Sequence, residues 1–223
     1  MGLTRIGIAS GAALLVLATG FRAEAQHGGG MHGPHRFQDP QRWSQEFDAA
    51  ERDAWQKPDQ VLGALKLAPD AVVADVGAGT GYFSVRLAKA VPKGVVYAVD
   101  IEEGMLAFIA ERAKREGLAN IRVVRGAADD ANLPGGLDLV LIVDTYHHID
   151  ARTAYMRKLS VALKPGGRVA IVDFRPEAAI GAPRHMRLPV AVVDKEMRAA
   201  GFAQIESHDF LPHQYVLVFA KAP

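Results

Sequence analysis

The chain contains no cysteine. Disulfides, thiolate metal sites and a cysteine nucleophile are therefore excluded, and no thiol exists to carry an N-terminal lipid. A G-x-S-x-G elbow is also missing, which removes the common serine-hydrolase arrangement. Neither charge sign dominates: 26 Lys and Arg stand against 25 Asp and Glu, a formal net charge of +1. With no basic stripe along any segment, the composition argues against nucleic acid as the main partner. Long apolar runs are scarce too. The one from Ile6 to Thr19 is too short and too glycine-rich to read as a membrane span.

That run has another meaning. Arg5 precedes it, and Ala23-Glu24-Ala25 supplies small residues at the two positions a signal peptidase reads. Residues 1–25 are thus expected to be a signal peptide cut between Ala25 and Gln26. A periplasmic or secreted protein with no stable membrane insertion follows. An uncleaved anchor is the alternative, and a start at Met31 would leave the protein in the cytoplasm. Residues 26–40, QHGGGMHGPHRFQDP, read as a flexible Gly/His-rich linker. The spacing of His27, His32 and His35 matches no closed metal site. Residues 41–223 are long enough for one α/β domain with a sizeable core. From Gln41, Trp43, Phe47, Ala50 and Ala54 recur at helical spacing, and Pro58 closes this helix or opens the next. Val61, Leu62 and Leu65 mark a second short helix. Trp55 lies at the edge of the first, either as core or as the wall of a ligand cleft. Oligomeric state is not legible.

The stretch Val72-Val73-Ala74-Asp75-Val76-Gly77-Ala78-Gly79-Thr80-Gly81-Tyr82-Phe83 organises the domain. Four of its first five residues are apolar, as in a strand buried on both faces. Gly77, Gly79 and Gly81 alternate, and a helical pattern with Phe83, Leu87 and Val91 on one face follows. Strand, glycine turn and helix start together make a backbone site for an acidic or polar ligand. A dinucleotide fingerprint reads G-x-G-x-x-G. Here the loop reads G-x-G-x-G, with Tyr82 where that third glycine would fall. Val95–Asp100 is a second strand ending on an acid about 20 residues past the loop, placed to accept bonds from ribose hydroxyls. Glu102 is a weaker candidate.

The glycine string resembles motif I of the class I S-adenosylmethionine-dependent methyltransferases. Later segments agree in order. Leu137–Val143 resembles the family's F-D-L-V strand, and Leu163-Lys164-Pro165-Gly166-Gly167 resembles the turn before its fifth strand. Arg52–Pro58 is similar to a segment preceding motif I in a bacterial small-molecule subgroup. The resemblance covers about residues 50–221. It implies a Rossmann-like α/β fold with seven strands, mostly parallel, and S-adenosyl-L-methionine as cofactor. A short connection between Phe202–Ile205 and Tyr215–Phe219 requires antiparallel neighbours, so the last strand is expected to be reversed.

The resemblance also implies site residues. Gly77, Gly79, Gly81 and Asp100 are the cofactor residues, with Asp75 near the methionyl ammonium. Asp129 is the candidate for the adenine amine, since Ala127 occupies the position where the family often has Asp. Ligands of open α/β sheets bind beyond the carboxyl ends of strands. Asp144, Tyr146, His147 and His148 therefore face the departing methyl group, with Asp144 on the cofactor side. Tyr146, His147 and His148 are the catalytic candidates, because adjacent histidines can supply a general base or bind an acidic substrate. The loop 175–189 carries Arg175, Arg184, His185 and Arg187 and hints at an anionic or polar acceptor. A small-molecule acceptor is the expectation. A non-catalytic nucleoside- or metabolite-binding protein on the same fold is the alternative. A NAD-dependent oxidoreductase is disfavoured by Tyr82 and the closing hairpin.

Overall fold

The computed structural model describes residues 1, 2 and 39–222. The expected signal segment and the three linker histidines lie outside the described residues.

The central strand β1 (Val72–Val76) is apolar throughout except for Asp75, because its two faces enter two different cores. Val73 packs with helices α3 (Pro58–Leu65), α4 (Tyr82–Ala90) and α5 (Glu103–Arg115). Ala74 and Val76 pack on the other side with α6 (Arg152–Ser160) and α7 (Val190–Ala199). The same alternation runs through β4 (Leu137–Val143), with Leu139 and Leu141 on one side and Val140 and Ile142 on the other. Strands read as continuous apolar runs for this reason. Helix α3 is too short to persist alone. It is held by fully burying Val61 and Leu65, worth about 1.5–3 kcal/mol each.

One seven-stranded sheet results, in the order β3-β2-β1-β4-β5-β7-β6. The remaining strands are β2 (Val95–Asp100), β3 (Ile121–Arg125), β5 (Leu163–Phe174), β6 (Phe202–His208) and β7 (Gln214–Lys221). Strands β1 to β5 pair in parallel, and β7 runs antiparallel to both β5 and β6. The expected fold class and reversed last strand are both present. Strand β1 lies between β2 and β4, so the winding changes direction there and opens a crevice beyond its carboxyl end.

Local differences from the sequence reading have identifiable causes. The expected single helix from Gln41 is two: α1 (Pro40–Phe47) and α2 (Ala50–Gln56). Asp39 caps α1 by accepting from the Arg42 N–H at 3.1 Å. The break falls where Asp48 pairs with Arg112 of α5 at 2.8 Å and Arg52 donates to the Phe47 carbonyl. Arg52 thus takes a carbonyl of the helix ladder, and the distant Arg112 holds the Asp48 side chain at the break. The Leu163–Gly167 turn is a bulge inside β5: Leu163 pairs with Leu137 and Arg168 with Leu139. Gly166 adopts φ +79°, and a Cβ on Gly167 would lie 2.6 Å from the Leu137 carbonyl oxygen.

Candidate active site

The glycine loop joins β1 to α4 and is tied down from below. Gly77 and Ala78 both donate their N–H to the Val99 carbonyl at 2.9 Å. Gly77 has φ +75°, and a Cβ there would stand 2.1 Å from Thr145 Oγ1. Only glycine lets this turn approach the end of β4. Gly79 and Gly81 also have positive φ. A Cβ on Gly79 would meet the ring of Phe47 at 3.4 Å, so α1 lies over the loop. Thr80 Oγ1 is buried with no hydrogen-bond partner among the described residues.

Asp100 ends β2 and faces this loop. Its Oδ2 accepts the Gly79 N–H at 2.8 Å, and its Oδ1 accepts that of Glu102 at 2.9 Å. Burial pushes its carboxyl up, and these two backbone bonds pull it back. A carboxylate offers about four lone-pair sites. Two bonds leave capacity for two more donors, which suits a vicinal diol such as a ribose.

Asp75 is buried inside β1 and accepts from Ser84 Oγ at 2.6 Å. Burial pushes it up to about 6, against the pull of Ser84 and Arg52. Asp144 follows β4 with φ 52°. Its Oδ2 accepts from Gln56 Nε2 at 3.1 Å, and its Oδ1 accepts from Gln214 Nε2. Gln56 also donates to Gln214 Oε1 at 3.0 Å, so α2, β4 and β7 meet at one buried polar group. Burial pushes Asp144 up to about 6 as well, with Arg52 opposing.

Arg52 occupies the space between these acids. Its guanidinium lies 4.0 Å from the Tyr82 ring centre, and Arg86 lies 3.9 Å from the same ring. The Tyr82 hydroxyl donates to Asp53, and Arg86 grips both oxygens of Asp53 at 2.8 and 3.0 Å. Tyr82, placed where a dinucleotide site has its third glycine, thus fastens α2 to the start of α4.

The two histidines separate. His147 is buried, and its Nδ1 lies 2.8 and 2.9 Å from the two oxygens of Asp173 at the end of β5. A carboxylate only accepts, so Nδ1 carries a proton and donates it. The His147 N–H also donates to Asp173, at 3.2 Å. His148 is exposed, and its ring lies 4.2 Å from that of His147. His147, His148 and Asp150 form no metal-holding group among the described residues. Beyond β5, the Trp55 ring lies 5.8 Å from Phe174 and 6.5 Å from His213.

Two candidates are not brought to this group. Tyr146 is fully buried in the core of α6 and α7, and its hydroxyl donates to Glu196 Oε2 at 3.1 Å. Burial, reinforced by Glu196, pushes that hydroxyl well above the usual range. Asp129 is exposed and paired with Lys158 of α6 at 2.7 Å. A bridge between Ala127 and Asp130 closes the turn that presents it outward. Arg187, one of the loop cations, is consumed internally: it donates to the carbonyls of Ala182, Pro176, Ala178 and Ile180.

Sequence reasoning missed Asp173, Arg52, Gln56 and Gln214. Asp173 had the signal that drew attention to Asp100, an acid ending an apolar strand. The other three are polar residues on helix or strand faces that meet Asp144 or one another across 70 residues or more, apart from the local bonds of Arg52 to Phe47 and Gln56.

Known proteins agree with this geometry. A family described as "Methyltransferase domain" matches residues 73–167. An uncharacterized methyltransferase of Bacillus subtilis, YdaC, is 29% identical over 154 residues, covering 68% of this chain and 83% of that protein. A malonyl-[acyl-carrier protein] O-methyltransferase of Methylococcus capsulatus is 31% identical over 149 residues, 61% of this chain. The chain spans only 54% of that relative. The crystal structure of a SAM-dependent methyltransferase from Aquifex aeolicus superposes with a TM-score of 0.76 at 26% identity, over 81% of this chain and 97% of that one. Residues 73–167 thus carry a methyltransferase domain, and the sheet order and glycine loop agree with the fold of the S-adenosylmethionine-dependent methyltransferase that the chain resembles.

Proposed function

We propose that this enzyme methylates a small molecule held beyond the carboxyl ends of β4 and β5, with the cofactor on the glycine loop and Asp100. The residues present fit the cofactor. The loop has no Cβ at its three glycines, and Asp100 retains acceptor capacity for a diol. Asp75, buried, and Asp144, partly exposed, place negative charge near the loop. The cofactor supplies an electrophilic methyl group on a sulfonium, and the protein must align and desolvate the acceptor. Trp55 and Phe174 offer an apolar wall for this. His148 is the histidine that meets the acceptor, and His147, locked by Asp173, fixes the turn that presents it. The observation that carries this reading is the His147–Asp173 pair, because it anchors both histidines at the carboxyl edge of β4 and β5. Relatives named as methyltransferases of an acyl-carrier-protein malonyl group and of a rifamycin support a small acceptor.

Isothermal titration of the protein with S-adenosylmethionine, S-adenosylhomocysteine and NAD tests the cofactor side. Binding of NAD alone would overturn it. A panel of hydroxylated, amine and carboxylic acceptors with labelled methyl donor tests the rest. Turnover that survives His148→Ala unchanged would remove His148 from the acceptor site. Residues 1–25 further support an exported enzyme, on the strength of Arg5, the apolar run and Ala23-Glu24-Ala25. N-terminal sequencing of the native protein should begin at Gln26; a first residue of Met31 would place it in the cytoplasm.

A further inference from the structure

Arg175 directly follows β5, at the carboxyl edge of the sheet. Its N–H donates to the His213 carbonyl at 2.9 Å, which carries the β5–β7 ladder one step past Phe174 and Gln214. Its side chain is half-buried and makes no hydrogen bond or ion pair among the described residues. Every other half-buried arginine among them grips a carboxylate or a carbonyl. A guanidinium has five donors and keeps its charge in a protein, and a cation drawn out of water is ordinarily paired. The acids on either side along the chain do not serve. Asp173 is engaged by His147 and the Phe174 N–H, and Glu177 is exposed and forms no ion pair with Arg175.

The surroundings of this cation are aromatic and fixed. The Trp55 ring lies 5.8 Å from Phe174 and 6.5 Å from His213. One indole thus touches both the residue before Arg175 and its ladder partner. The loop after β5 folds back on Phe174: a Cβ on Gly181 would stand 2.2 Å from that ring. Arg187 holds this fold through its bonds to four carbonyls of the loop. Arg175 is therefore an unmatched charge at a wall of rings, two residues along from the acid that anchors the His147–His148 turn. A planar guanidinium fork fits the two oxygens of a carboxylate, and the rings fit a flat apolar body. A single guanidinium would leave a phosphate dianion only half compensated.

We propose that the methyl acceptor is an aromatic carboxylate, with its ring against Trp55 and Phe174 and its carboxylate on Arg175. This rests on the placing of the acceptor beyond β4 and β5. Arg175 is then a specificity residue: it selects the charge of the acceptor and has no part in the transfer of the methyl group.

Calorimetric titration of the full chain with S-adenosylhomocysteine comes first, and absence of binding there would overturn the cofactor reading. With S-adenosylhomocysteine saturating, the chain is titrated with para-hydroxybenzoate, para-hydroxycinnamate and indole acetate, each beside its neutral amide. At least one acid should bind about 10- to 100-fold more tightly than its amide. Arg175→Gln should bring that acid down to its amide while leaving the amide within about twofold, and Arg175→Lys should keep part of the preference. Arg184→Gln, exposed on the same loop, should leave the preference intact. Trp55→Ala should weaken acid and amide alike; no change in either would overturn the aromatic half of the proposal. If no acid binds more tightly than its amide, or the preference survives Arg175→Gln, the proposal falls while the cofactor reading stands. If circular dichroism shows Arg175→Gln unfolded, the preference of the unsubstituted chain and its reduction in Arg175→Lys decide the matter.

Discussion

Replacing Asp173 with alanine removes the acceptor of three buried donors: His147 Nδ1 at 2.8 Å, the His147 N–H at 3.2 Å and the Phe174 N–H at 2.8 Å. Asp173 is fully buried and the His147 side chain nearly so, which leaves little access for replacement water. Each donor left unsatisfied costs about 1–3 kcal/mol. The costs do not add fully, because removal of the carboxylate opens room for relaxation. A loss of about 3–5 kcal/mol is expected, the usual range for breaking a buried pair. That is a large share of a total stability of about 5–15 kcal/mol. Asp173→Asn keeps one acceptor oxygen and should lose less, about 1–2 kcal/mol. Urea unfolding followed by tryptophan fluorescence and circular dichroism measures both. The turn that presents His148 should loosen in parallel, so methyl transfer should fall in Asp173→Asn even where the protein is folded. A loss under about 1 kcal/mol in Asp173→Ala, with turnover unchanged, would refute the argument that this acid holds the histidine pair.

Other expectations follow from the same geometry. Asp100→Asn should weaken S-adenosylhomocysteine binding about 10- to 100-fold, whereas Asp129→Ala, exposed and paired with Lys158, should leave it within about twofold. Titration of both variants checks this, and a strong effect at Asp129 would mean that its turn closes onto the ligand. Asp144 is pushed up from 3.8 to about 6 by burial, so the folded chain holds its proton more tightly than the unfolded one. Its favourable contribution is present below about pH 4 and is lost as pH rises through about 6. That amounts to at most about 3 kcal/mol. The unfolding midpoint of the unsubstituted protein relative to Asp144→Asn should therefore fall between about pH 4 and 6.5; a flat difference would show that Arg52, Gln56 and Gln214 cancel the burial cost.

Much of the fold was legible because its signals are local. Apolar runs of strand length, the alternating glycines and the short final connection each follow from neighbouring residues, so periodicity and turn chemistry were enough to mark seven strands and the reversal of the last, while the parallel sense of the others was implied by the resemblance. Asp100 was legible for the same reason, since its distance from the glycine loop is a chain distance. The signals failed where a side chain had two possible directions. Tyr146 and His147 are adjacent, yet one enters the core of α6 and α7 and the other meets Asp173. Asp129 has the residue type for a ligand contact, but the bridge between Ala127 and Asp130 and the reach of Lys158 decide its direction.

By itself, then, the sequence determined the order of strands and helices and the glycine loop with its acid partner, because each depends on spacing along the chain, while the class of cofactor came from the resemblance of those motifs to a known family. Only the tertiary structure decided which polar residues meet. Arg52, Gln56, Asp144 and Gln214 come from α2, the end of β4 and β7, and no chain distance relates the first helices to the last strand. Their meeting depends on the sheet bringing β4 and β5 beside a reversed β7 and on α2 being pinned by Tyr82. The break between α1 and α2 has the same origin. Arg52 takes the Phe47 carbonyl that a continuing helix would have used, and Arg112, far along the chain, holds the Asp48 side chain at the break; the second of these leaves no mark in local periodicity.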